Sequence, residues 1–270
     1  PYALFIDRRG QIAAFDIVKT ASNKNFLVTG GTGGGKSFTC NYLVGSYYAC
    51  GSKIRIIDVG GSYKKLCTKV GGQFIKFSDS NLVINFFETV EQMDGDTLSM
   101  LVSVVMTMAF SRTGTVASEL EMALIELAIG SIFAKSGKQT TIDEIADYLA
   151  NLDKHFEELK AHGLADVKHE LLIQSGAALA VALGKFPTRG PYGHYFYGKS
   201  TVSVNSDFCV VELDGTSEEL RRVIVLAFSM LIENEIYNGD RLKHTLVLLD
   251  EAWQTLNNPA AGSFCVGLYR

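Results

Sequence analysis

The sequence predicts an α/β fold, a parallel sheet carrying an all-helical insertion subdomain. Three observations predict it. Apolar runs of strand length alternate with stretches of helical spacing near both ends of the chain, one late run, 245–249, is apolar without interruption, and the region between about 94 and 184 has helical spacing with almost no β-branched clusters.

The elements follow in order. Phe26-Leu27-Val28 predicts a strand that ends in a glycine cluster, and Lys36 to Cys50 carries Phe38, Tyr42, Leu43 and Tyr47 at roughly helical spacing. Ile54-Arg55-Ile56-Ile57 predicts the next strand, ended by Asp58 and Gly60-Gly61. A short amphipathic helix is expected around Ser62 to Val70, then a strand at Gln73 to Phe77. In the helical stretch, Thr141-Ile142-Asp143-Glu144 has capping-box spacing, and Gly137, Gly163 and Gly184 are expected breaks. An aromatic and Gly-rich loop, Pro191 to Gly198, precedes returning strand character at Thr201 to Val204 and Phe208 to Leu213. A helix from about Ser217 to Tyr237 leads to Thr245-Leu246-Val247-Leu248-Leu249, which suits a central strand buried on both faces. The core is therefore expected over 1–93 and 199–270, with the insertion at 94–198.

Composition bounds the rest. With 270 residues, 47% of them hydrophobic, the chain can bury a large core, and no Ser/Gly-rich or charged run marks a linker. A net charge of −4 does not favour wrapping of a polyanion over the whole surface, although it leaves a local basic channel open. The five cysteines are scattered and form no CxxC pair, as suits a reducing, cytoplasmic setting. The most apolar stretch, Leu98 to Phe110, is shorter than the ~20 residues of a membrane-spanning helix. The sequence opens on Pro1 and closes on Ala260 to Arg270, which reads as a helix cut partway, so it is expected to be part of a longer protein.

The chemistry concentrates at Gly30-Gly31-Thr32-Gly33-Gly34-Gly35-Lys36-Ser37, which fits GxxxxGK[ST] between an expected strand and an expected helix. Glycines let backbone N–H groups turn inward around phosphate oxygens, and the helix N-terminus adds partial positive charge. Lys36 is expected to reach the β- and γ-phosphates of ATP, and Ser37 to offer its hydroxyl to Mg²⁺; with Phe38 these residues form the candidate nucleotide set. A dinucleotide GxGxxG starting at Gly31 fails, because Lys36 stands where its last small residue belongs. Asp250 ends the buried run 245–249 and is the candidate second Mg²⁺ ligand, with Glu251 placed to polarise the attacking water. By themselves these two acids also fit an N-cap on the next helix. The strand and helix at Phe208 to Tyr237 are consistent with an extra strand between the two nucleotide-binding strands, as in RecA-like motors.

Over most of its length the chain resembles the TraC-type traffic ATPases of conjugative type IV secretion. The resemblance rests on Arg8-Arg9-Gly10-Gln11, Ser22-Asn23-Lys24-Asn25, Ile57-Asp58 with Ser62-Tyr63, Gly71-Gly72 through Phe77, and Asp250-Glu251-Ala252-Trp253. The family usually reads Asn-Pro-Phe where this chain has Asn85-Phe86-Phe87. The resemblance implies a RecA-like core assembled as a homo-hexamer, peripheral to the inner membrane, working with inner-membrane components of the secretion system on a DNA or protein substrate. It also implies ATP bound between subunits with an arginine from the neighbour, and the Arg-rich segment of the family would begin near Arg270.

Other residues are weighed beside these. Asp58 ends a strand where ligands of open α/β sheets collect, and a place near the γ-phosphate stays open. His155, His162 and His169 recur every seven residues and read as a solvated face, not metal ligands. Trp253 is either a base-stacking or a core residue, and Tyr192, Tyr195, Phe196 and Tyr197 read as a loop packed on the core. Two alternatives to a motor for pilus assembly and substrate transfer stand: a DNA-translocating pump of the same superfamily, and a nucleotide-gated scaffold with negligible turnover.

Overall fold

The computed structural model describes residues 3–19, 24–31, 33–77, 82–110, 117–202, 206–238 and 243–250. Thr32, Ser22-Asn23, Val204, Glu251, Trp253, Cys265 and Arg270 lie outside the described residues, as does the segment Ala260 to Arg270.

A four-stranded parallel sheet forms the centre. It contains β3 (Lys53–Asp58), β4 (Gln73–Lys76), β5 (Phe208–Glu212) and β6 (Thr245–Leu249), in the spatial order β4-β5-β3-β6. Side-chain alternation sends Ile54 and Ile56 of β3, with Phe208 and Val210 of β5, to one face, where Cys40, Val44 and Tyr47 of α1 (Lys36–Ala49) and Cys67 of α2 (Lys64–Lys69) cover them. Ile57, Cys209 and Val211 face the opposite side, into a larger cluster. Two covered faces explain why these strands read as continuous apolar runs.

The larger cluster is built by helices. α3 (Gly95–Phe110), α4 (Glu119–Ser136), α5 (Ile142–Ala150), α6 (Phe156–Leu159) and α7 (His169–Ala182) follow β4 without an intervening strand among the described residues, and α8 (Glu218–Asn238) follows β5. Leu101, Val105, Ile125, Ile145 and Leu172 share one continuous core with Val223, Ala227 and Phe228 of α8 and with the sheet. Both capping boxes are formed: Ser118 with Glu121 opens α4, and Thr141 with Glu144 opens α5 as its spacing predicts. Gly137 ends α4 and Gly163 breaks the chain at positive φ, while Gly184 lies just past α7.

Three expectations are corrected. Phe26-Leu27-Val28 has no sheet pairing among the described residues; Phe26 and Val28 pack on the α1-side cluster while Leu27 is 82% exposed. An apolar run reports apolar contact, and here Phe26 and Val28 make it half-buried and without a ladder. β5 lies between β4 and β3, not between the two expected nucleotide-binding strands at Phe26–Val28 and β6, because parallel crossovers let consecutive strands skip positions. Finally, β6 pairs only with β3 among the described residues and is mostly half-exposed, not central.

Two local features have their own causes. An antiparallel hairpin, β1 (Ala3–Ile6) and β2 (Ile12–Phe15), turns at Asp7, whose carboxylate accepts from the N–H groups of Arg9 and Gln11. It docks on α1 through Tyr42, whose hydroxyl bonds the backbone of Leu4. Where the proline is missing, Asn85 makes the turn instead. Its Oδ1 accepts from the Phe87 N–H at 3.2 Å and its Nδ2 donates to Gly198, which seats Phe86 in the core. In the aromatic loop Tyr195 donates to the Phe77 carbonyl and Phe196 packs against Phe186, whereas Tyr197, expected on the core, is 53% exposed.

Candidate functional site

The glycine loop delivers the chain into α1 through a turn closed by the Gly34 N–H on Gly31 O. Gly33 and Gly35 hold φ of 75° and 84°, a left-handed conformation that other L residues adopt only under strain. At Gly34 a Cβ would come within 2.9 Å of the Gly31 carbonyl, whose oxygen already accepts from the Gly34 N–H. No side chain caps α1 and no acid stands in its first turn, so the first N–H groups are left for an outside acceptor. Lys36 folds back along the loop, with Nζ donating to Gly30 O at 2.8 Å. A cradle that side chains would fill, a helix start and an ammonium together fit a phosphate chain. Phe38 stands at the loop's edge, 80% exposed.

Opposite the loop, three carboxylates stand at the C-terminal ends of adjacent strands. Asp58 of β3 is in register with Glu212 of β5, and Asp250 follows β6, its N–H donating to Ile57 O at 2.9 Å. Asp58 is fully buried, and Glu212 is 3% exposed. Burial, then the charge of Glu212, pushes the Asp58 carboxyl up to about 6, even though its Oδ2 accepts from the Tyr63 N–H. The charge of Asp250 adds to the rise at Asp58 and also raises Tyr63 and Cys40, both of which burial moves most. The Asp250 N–H bond to Ile57 O puts Asp250 beside the end of β3, next to Asp58.

The loop after β3 ties the two halves together. Asn41 of α1 donates from Nδ2 to Ser37 O at 2.8 Å and to Ser62 O at 3.1 Å, and Ser62 Oγ donates to Ser37 Oγ at 3.5 Å. Thus Lys36, Ser37, Asp58 and Asp250 converge, while Glu251 and Thr32 fall outside the described residues. Glu212, Asn41 and Ser62 had no role assigned from sequence. The signal for Glu212 was available: like Asp58 and Asp250, it is an acid ending an apolar strand. Asn41 is four residues from Ser37, the spacing of one helix face.

The histidines do other work. His162 and His169 are exposed, as a solvated face predicts, with His162 bonding the Glu158 carbonyl and His169 at the Phe156 ring edge, whereas His155 is half-buried and stacks on Tyr148 at 4.0 Å. No group of three or more His, Cys, Asp or Glu capable of holding a metal occurs among the described residues. A serine hydroxyl at the helix start and carboxylates at the strand ends are oxygen donors, the chemistry that a hard cation such as Mg²⁺ takes. No helix among the described residues is long and apolar enough to cross a membrane.

Comparison with known proteins adds the family. Residues 12–270 match the family described as TraG P-loop domain. Protein TraC of Escherichia coli (strain K12) is 26% identical over 270 residues, covering 97% of this chain and 29% of that protein. The chain therefore spans less than a third of this relative's length. Among solved structures, VirB4 of Thermoanaerobacter pseudethanolicus superposes with a TM-score of 0.70 at 24% identity, covering 96% of this chain and 70% of that one. The plasmid coupling protein TrwB, in complex with the non-hydrolysable ATP analogue ADPNP, superposes with a TM-score of 0.60 at 15% identity, covering 88% of this chain and 59% of its own. These two likenesses establish the fold.

Proposed function

The chain belongs to the TraG P-loop domain family, and from that premise we propose that it is the ATP-hydrolysing core of a motor that energises conjugative type IV secretion. The observation that carries the proposal is that a glycine-cradled helix start, bearing Lys36 and Ser37, is tied through Asn41 and Ser62 to the end of β3, where the strand-end acid Asp250 bonds Ile57 O, at one edge of a parallel sheet. Ligands of open α/β sheets collect at that edge.

In this proposal Gly30 to Ser37, with Phe38 beside them, hold ATP, and Ser37 and Asp250 hold Mg²⁺. The bound cation would supply charge neutralisation at the phosphates. Lys36 contributes a point positive charge on a stem already aligned along the loop, so little reorganisation is needed to bring its ammonium to a phosphate oxygen. Glu251 accepts the proton of the attacking water. The division into a core, 1–93 and 199–270, and an insertion, 94–198, belongs to the same proposal. So does assembly as a homo-hexamer in the cytoplasm, peripheral to the inner membrane, in contact with inner-membrane components of the secretion system and acting on a DNA or protein substrate. Support comes from the family match and from the likeness to TraC.

The test is ATP hydrolysis and fluorescent-nucleotide binding by the protein, by Lys36→Ala and by Glu251→Gln. Lys36→Ala is expected to lower turnover by about 10²- to 10³-fold and to weaken binding, whereas Glu251→Gln abolishes turnover and leaves binding intact. Binding without turnover in the unsubstituted hexamer would favour the scaffold instead, and turnover stimulated by DNA would favour the pump.

A further inference from the structure

We propose that Ser62 is a positioning residue for the Mg²⁺ ligand Ser37, and that the buried carboxylate of Glu212 holds Ser62 in place. The proposal rests on the nucleotide-site reading above.

The geometry begins at Glu212. Its Oε1 accepts from the N–H groups of Gly60 at 3.1 Å and Asp214 at 2.8 Å, and no cation pairs with it among the described residues. Burying a carboxylate whose partners are loop N–H groups is costly, and Oε2 has no hydrogen-bond partner among the described residues. What the charge achieves is to clamp a turn. Gly60 and Gly61 hold φ of 113° and 73°, a path open to glycine, and a Cβ on Gly61 would lie 3.6 Å from Glu212 Oε2.

From that clamp the chain runs directly to Ser62. Three anchors fix it: Glu212 on Gly60, Asp58 Oδ2 on the Tyr63 N–H at 3.3 Å, and Asn41 Nδ2 on the Ser62 carbonyl at 3.1 Å. The same Asn41 amide also reaches Ser37 O, so the backbones of Ser37 and Ser62 are tied to one side chain. The Ser62 hydroxyl then donates to Ser37 Oγ at 3.5 Å, the long end of hydrogen-bonding range. A serine hydroxyl has one donor and two lone pairs. With one lone pair of Ser37 taken by Ser62, its rotamer is set and the other lone pair is directed elsewhere, as a metal ligand requires. Outer partners that orient metal ligands in this way are commonly worth 10- to 100-fold in metal affinity.

The experiment measures binding of a fluorescent ATP analogue in a Mg²⁺ titration and in EDTA, with Mn²⁺ replacing Mg²⁺ for electron paramagnetic resonance of the bound ion. Ser62→Ala, Ser62→Thr, Glu212→Ala and Lys36→Ala are compared with the unsubstituted protein, with thermal unfolding as the check on folding. Ser62→Ala is expected to raise the half-saturating Mg²⁺ concentration by about tenfold, to leave binding in EDTA within about twofold, and to change the Mn²⁺ spectrum; Ser62→Thr restores all three. A folded Glu212→Ala protein shows the same Mg²⁺ defect. An unchanged Mg²⁺ half-saturation in Ser62→Ala, or an equal loss with and without Mg²⁺, overturns the proposal. If Lys36→Ala binds nucleotide as tightly as the unsubstituted protein, the nucleotide site itself is wrong, an outcome distinct from a Ser62 failure.

Discussion

Asp58 is an acid that the fold keeps dry. Its carboxyl titrates near 6 in the folded chain, against about 4 when unfolded, chiefly because burial penalises the charge and Glu212 repels it. Between those pH values the folded state binds more protons, so stability falls as pH rises through the window; the penalty is absent below about 4 and complete above about 6. Two pH units correspond to roughly 3 kcal/mol. Asp58→Asn should therefore raise the urea midpoint at pH 8 in EDTA and leave a much smaller difference at pH 4. A difference that is constant with pH would mean that the amide acts by shape, not by charge. The candidate site's glycines, Lys36 and Ser37 could be named from sequence by the spacing a phosphate loop demands, and Asp250 as an acid ending an apolar run. Glu212 was less so, since its partners, Gly60 and Asp214, are joined to it through the pairing of β3 with β5.

At the scale of elements, short-range chemistry was the most legible. The Thr141 box opens α5, and strand ends at Asp58 and Leu249 fall where apolar runs meet acids. Helix packing was not. Gly176 in α7 is buried where a Cβ would meet the Leu152 side chain at 2.3 Å and the Leu149 carbonyl at 2.5 Å. Replacing it with alanine would ordinarily help a helix by up to ~1 kcal/mol. Here the backbone carbonyl at the end of α5 cannot give way as a flexible side chain would. Gly176→Ala is expected to destabilise the protein by about 1–2 kcal/mol, seen as a lower melting temperature. A gain in melting temperature would mean that α7 shifts away from α5 without cost.

For the whole molecule, the helices of 95–182 do not stand apart from the sheet. Leu101 and Val105 of α3 belong to the same buried cluster as Phe228 of α8 and Val211 of β5. A shared core predicts shared stability. Hydrogen exchange should show α3, α4 and β5 opening together under native conditions, and Leu101→Ala, at a fully buried site, should lower the protection of all three by about 2–5 kcal/mol. If the helices exchange freely while β5 stays protected, 94–198 folds as an independent unit.

By itself the sequence determined the class of fold, most of its helices and the strands at Lys53–Asp58, Gln73–Lys76, Phe208–Glu212 and Thr245–Leu249, and it named the candidate phosphate loop, because periodicity, capping and glycine chemistry act over a few neighbouring residues. Only the tertiary structure decided which strands are neighbours, that β5 inserts between β4 and β3, and that Phe26 and Val28 pack half-buried on the α1 side without joining the ladder. It alone brought Glu212 to the turn that carries Ser62 toward Ser37. These are contacts between segments more than 100 residues apart in the case of Glu212 and Gly60, and no local pattern encodes them; they follow from how the two covered faces of the sheet fill.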